Sequence, residues 1–153
     1  MKHFKNTTTS SSDPNLKNVV IIGRKTYMSI PGKNKSLVGR HTFVLSKKPE
    51  LLPGNMNEIQ DVKVFKSLDS CFDHINESIH TENIFIAGGT ALYKECLDRQ
   101  LIDHFLITEI GKNFECDVFL PEIPQYLREI RDSEFPKTWV EKETQLTLRK
   151  FSK

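Results

Sequence analysis

Apolar positions along the chain fall into short runs, separated by polar stretches bearing glycine and proline. Asn18-Val19-Val20-Ile21-Ile22-Gly23 is a continuous run of strand length, the pattern of a strand covered on both faces. Arg24 to Pro31 follows as a short helix closed by the proline. Gly32 to Ser36 reads as a turn, and Leu37-Val38-Gly39-Arg40 leads into a strand over His41–Ser46. Lys47 to Glu58 carries Pro49, Pro53 and Gly54, which predicts a long loop. Val62–Phe65 is a short strand. Ser67 then caps a helix with Asp69 in its first turn and Leu68, Phe72, Ile75 and Ile79 along one face. Ile84–Ala87 is the next strand, Ala91–Leu97 the next helix, and His104–Ile110 a partly alternating strand with Leu106 and Ile107 as core. Trp139 to Phe151 alternates polar and apolar residues, as one long antiparallel strand does. Near the N-terminus, Phe4 is the apolar position of a short helix, and Thr7 to Asp13 is a polar surface loop. Strand–helix–strand order with an antiparallel end predicts an α/β fold. Its sheet is mostly parallel and twisted, with helices on both faces and an antiparallel C-terminal edge, in one domain over 1–153.

Composition narrows the setting. A chain of 153 residues is long enough for one real core. A formal net charge of +2 gives no electrostatic case for nucleic acid or an anionic membrane. The apolar runs are too short to span a bilayer, and the N-terminus lacks the apolar stretch of a signal peptide. Cys71, Cys96 and Cys116 are odd in number and far apart, which suits free thiols in a reducing, cytoplasmic compartment. No histidine or cysteine spacing suggests a metal site.

The chemistry concentrates at two corners. Ile84 to Glu95, IFIAGGTALYKE, joins a strand to a helix through Gly88-Gly89. Asn18 to Ile30 does the same through Gly23. Glycine lets backbone approach a ligand closely, and a helix start offers free N–H groups and a positive dipole end. Arg24 and Lys25 open the first of these helices, where cations oppose the dipole unless an anion sits between them. Two such corners predict a phosphate-rich cofactor gripped from two sides. The competing reading of Arg24-Lys25-Thr26 is a solvated basic turn. Ser46 and Lys47 follow the end of another strand, and Lys66-Ser67 another helix start. A hydroxyl and an ammonium together suit a phosphate dianion, although Ser67 also serves as a plain N-cap. Arg40, at a strand start, reads by itself as a surface charge.

VVIIGRKTYMSIP, Gly39-Arg40, the strand HTFVLS, IAGGTALYKE, ITEI and FECDVFLP occur in this order over almost the whole chain. That order resembles the dihydrofolate reductases, most closely the eukaryotic ones. The resemblance implies an oxidoreductase of one-carbon metabolism that makes tetrahydrofolate from 7,8-dihydrofolate with NADPH. It assigns Gly23, Arg24, Lys25, Thr26, Leu45, Ser46, Lys47, Lys66 and Ser67 to the cofactor, with Arg24 near the 2′-phosphate. It assigns Gly88 and Gly89 to a pair joined by a cis peptide, and Thr90, Ala91 and Leu92 to backbone N–H groups for the pyrophosphate. For the substrate it implies Phe4, Ile30, Asn34 and Leu37 as walls. Arg40 becomes a fork for the α-carboxylate of the folate glutamate tail, and Ala87, Tyr93 and Thr108 the pterin side.

In that family a strand, a loop over the nicotinamide and a catalytic carboxylate precede the region matching Met1-Lys2-His3-Phe4. The resemblance therefore places no catalytic residue within 1–153, and implies a central strand missing between those matching Ile84–Ala87 and Phe105–Glu109. It allows three readings: an enzyme completed by a further N-terminal segment, a protein that binds NADPH and folate without turnover, or an incomplete fragment.

Overall fold

The computed structural model describes residues 2–32, 37–54 and 56–153, in two compact units, 1–92 and 93–153. In the first, β1 (Asn18–Gly23) lies inside a four-stranded parallel sheet with β2 (Arg40–Leu45), β3 (Val62–Phe65) and β4 (Ile84–Ile86). The order is β3-β2-β1-β4. Asn18 to Ile22 are all buried, as expected of an unbroken apolar run with a neighbour strand on each side. Register pairs Gly23 with Leu45, Leu45 with Phe65 and Ile21 with Ile86, so the four strands end together. Ligands of open parallel sheets sit beyond these carboxyl ends. Ile22, Tyr27, Val44, Leu52, Met56 and Val62 form one core cluster, with Ile30, Ile59, Val64 and Ala87 packed against it.

Between strands run α2 (Arg24–Ser29) and α3 (Leu68–Ser78). Ser67 caps α3 as predicted. Its Oγ accepts from Ser70 N–H at 3.1 Å, and its own N–H donates to Ser70 Oγ at 3.3 Å. Leu68, Cys71 and Ile75 are buried on one face, and burial pushes the Cys71 thiol up to about 12. Ile79 ends the helix instead of extending its face.

The N-terminal helix, α1 (Lys2–Thr9), corrects the polar-loop reading at Thr7–Thr9, and Ser10–Asp13 follow as the loop. Threonine is a poor helix former in isolation, but Thr8 and Thr9 each donate their hydroxyl to the carbonyl four residues back, Phe4 and Lys5, at 2.8 Å. Thr8 is only 1% exposed. The chain after α1 is held by buried Asn18. Its Nδ2 donates to Thr8 O and Ser10 O, and its Oδ1 accepts from Asn83 N–H.

α4 (Thr90–Asp98) crosses the boundary at Leu92 and Tyr93. The second unit carries β5 (His104–Ile110), β6 (Arg128–Ile130), β7 (Lys137–Glu141) and β8 (Thr144–Ser152). All pair antiparallel with β8: β5 on one side, β6 and β7 in turn on the other. These strands form an antiparallel sheet of their own at the C-terminal end of the chain. The single long strand predicted over Trp139–Phe151 is a hairpin turning at Lys142 and Glu143, whose φ of 48° and 62° suits the tight turn that joins twisted strands. Its residues are neither glycine nor asparagine, so the sequence carries none of the usual signals of such a turn. Leu97, Phe105 and Leu127 form a core cluster in this unit, and Ile107 packs on them; Leu106 is exposed, correcting its core assignment.

Candidate functional site

In the first unit the two glycine corners lie against each other. Parallel pairing of β1 with β4 brings Gly23 beside Gly88, and the Gly23 N–H donates to Gly88 O at 2.7 Å. A Cβ on Gly23 would meet Gly88 O and Gly89 N at 3.4 Å, and one on Gly89 would lie 3.0 Å from Thr26 Oγ1. Gly88 has φ of 91°, open to glycine and strained for other residues. Gly88 and Gly89 are joined by a cis peptide bond, as the resemblance implies.

These contacts set the starts of α2 and α4 side by side. Gly23 is the N-cap of α2 and supplies no side chain, and neither helix has an acid in its first turn. The first N–H groups of each helix therefore lack both an intrahelical acceptor and the usual carboxylate. Arg24 and Thr26 are half-buried here and Lys25 is exposed. Leu92 differs from the expectation. Its N–H donates to Gly89 O at 3.0 Å and its side chain is buried, so its backbone is engaged within the chain.

At the neighbouring strand ends, Ser46 is buried. Its N–H donates to Phe65 O at 2.9 Å, and its Oγ accepts from Lys48 N–H at 3.2 Å. Leu45 is half-buried, and Lys47, Lys66 and Ser67 are exposed.

Arg40 is not a surface charge. It is 4% exposed, and burial depresses its pKa. Its Nε donates to Leu37 O at 3.0 Å and its Nη1 to Thr8 Oγ1 at 2.7 Å. Its guanidinium carbon lies 5.9 Å from the centre of the Phe4 ring. Among the described residues it forms no ion pair, so a buried cation is held by neutral groups alone. Leu37 is buried with φ of 41°, Ile30 packs on the core and Phe4 is exposed. Asn34 lies outside the described residues. Ala87 is half-buried beside the corner, its N–H donating to Ile21 O. Tyr93 and Thr108 belong to the second unit. There Tyr93 packs edge-on to Phe105 at 6.2 Å, and Thr108 is exposed opposite Leu148. Thr8 and Asn18 were not legible as site neighbours: a threonine tract and a strand start carry no sign of a distant arginine.

An α/β unit with paired glycine corners at the carboxyl ends of its parallel strands belongs among the folds that grip small ligands there. The dihydrofolate reductase family model matches residues 1–153. The chain is 34% identical over 140 residues to a dihydrofolate reductase of Drosophila melanogaster, covering 89% of this chain and 73% of that one. It is 36% identical over 126 residues to that of Candida albicans, covering 78% and 61%. It is 41% identical over 128 residues to a bifunctional dihydrofolate reductase-thymidylate synthase of Plasmodium berghei, covering 82% of this chain and 22% of that one. The chain belongs to the dihydrofolate reductase family of oxidoreductases. Among the described residues no helix is long and apolar enough to cross a membrane, and no cluster of three or more metal-ligating side chains occurs.

Proposed function

We propose that the chain serves the family's reaction, reduction of 7,8-dihydrofolate to tetrahydrofolate with NADPH. The observation that carries this reading is the contact between the two corners. Gly23, Gly88, Gly89 and Thr26 pack closely enough that a Cβ on Gly89 would crowd Thr26. A dinucleotide cofactor needs close backbone approach, donors for its pyrophosphate and cations for its 2′-phosphate. The residues present fit all three. The α2 and α4 starts supply N–H groups from Lys25, Thr26, Thr90 and Ala91. Arg24, with Ser46, Lys47, Lys66 and Ser67 at the neighbouring strand ends, suits the 2′-phosphate. Bound there, NADPH supplies the hydride.

On the substrate side, Arg40 is a buried fork with no anionic partner among the described residues, the arrangement that a ligand carboxylate completes. Phe4, Ile30 and Leu37 supply apolar surface for the aromatic rings. Ala87, half-buried beside the glycine corner, suits the pterin-side role that the resemblance implies for it.

Calorimetric titration with NADPH and with dihydrofolate tests the reading, followed by nicotinamide absorbance with both present. The expected result is binding of each ligand, and NADPH consumption only when dihydrofolate is added. Failure of both ligands to bind, or binding of both without NADPH consumption, would overturn it.

A further inference from the structure

We infer that Thr8 is a positioning residue for the substrate carboxylate: its hydroxyl sets the plane of the Arg40 guanidinium. This rests on the reading of Arg40 as the carboxylate fork. The Thr8 hydroxyl has one proton, donated to Phe4 O at 2.8 Å. Its oxygen is thereby turned to accept from Arg40 Nη1 at 2.7 Å. Leu37 O takes the Nε proton at 3.0 Å. Two fixed acceptors on different nitrogens define the plane of a rigid, flat cation. A planar carboxylate binds in two parallel hydrogen bonds only if it lies in that plane.

The acceptor is itself anchored. Thr8 O accepts from buried Asn18 Nδ2 at 3.2 Å, which ties this turn of α1 to β1. The same turn carries Phe4, whose ring faces the guanidinium. A ligand that stacks an aromatic ring beside Phe4 and places a carboxylate on Arg40 would therefore meet two features held by one helical turn. Thr8 needs no contact with the ligand to act. Its neutrality also matters: an aspartate here would neutralise Arg40 and compete with the ligand.

The test compares folic acid with folic acid α-amide, which lacks only the α-carboxylate charge, by titration of the full chain and its variants. Arg40→Lys should weaken folic acid strongly and the α-amide little. Equal loss for both would overturn the fork reading itself. Thr8→Val removes the acceptor and keeps the shape. It should weaken folic acid about tenfold, leave the α-amide within about twofold, and be rescued by Thr8→Ser. Should Thr8→Val fail to fold by circular dichroism, Thr8→Ala, which adds no bulk, is measured in the same comparison. If a folded Thr8 variant binds folic acid as well as the parent while Arg40→Lys does not, Thr8 has no positioning role and the fork stands alone. Parallel loss of folic acid and α-amide would make Thr8 merely structural.

Discussion

At the residue scale, the site depends on absent side chains as much as on present ones. Gly89 is crowded: the nearest atom to an added Cβ is Thr26 Oγ1 at 3.0 Å. Thr26 stands on a short helix whose neighbour Tyr27 is fully buried, so it has little room to yield. Gly89→Ala should therefore lower cofactor affinity about tenfold or more, and Gly89→Ala with Thr26→Ala should recover part of the loss. Titration of the single and double variants with NADPH checks this; no recovery in the double variant would mean the crowding is not with Thr26. The glycine corners were legible because glycine at a strand–helix junction has few other uses. The environment of Arg40 was not. Its partner Thr8 is neutral and 32 positions away, so neither charge pairing nor local spacing points to it.

At the element scale, β1 and α3 follow from local pattern, because an apolar run and a serine cap specify them without help from elsewhere. The α1 helix and the β7–β8 hairpin do not. The helix runs through a threonine tract and is anchored by Asn18 beyond its end, and the hairpin turns at two charged residues. Two stability tests belong here. Ser67→Ala should cost about 1 kcal/mol in denaturant unfolding, because Ser70 N–H loses its acceptor. Asn18→Leu should cost more, about 2–4 kcal/mol, because Thr8 O, Ser10 O and Asn83 N–H lose their partners together. If Asn18→Leu costs no more than Ser67→Ala, Asn18 does not hold the first unit's N-terminal segment.

The same segment is tied at Glu82. Its carboxylate accepts from Ser12 N–H at 2.6 Å and from the Ser11 and Ser12 hydroxyls at 2.8 Å. The Ser12 backbone bond, then the two hydroxyls, hold its pKa down at about 2, against an ordinary value of 4.5. A depressed carboxylate stabilises the fold above its unfolded pKa, and that contribution fades as pH falls from 4.5 toward about 2. The melting temperature of the parent should exceed that of Glu82→Gln near neutral pH. The gap should narrow through this acid window. A gap that stays constant with pH would show that the carboxylate charge has no part in the tie.

At the scale of the whole molecule, function depends on a phosphate cradle formed by two helix starts and the cations around them. The most direct measurement is the affinity of the full chain for NADPH and for NADH, at low and high salt, with and without Arg24→Glu. Arg24, Lys47 and Lys66 are exposed or half-buried, so their attraction for a phosphate is screened by salt. NADPH should bind more tightly than NADH, added salt should narrow the difference, and Arg24→Glu should weaken NADPH much more than NADH. Equal affinity for the two dinucleotides, or equal loss of both in Arg24→Glu, would contradict the cradle.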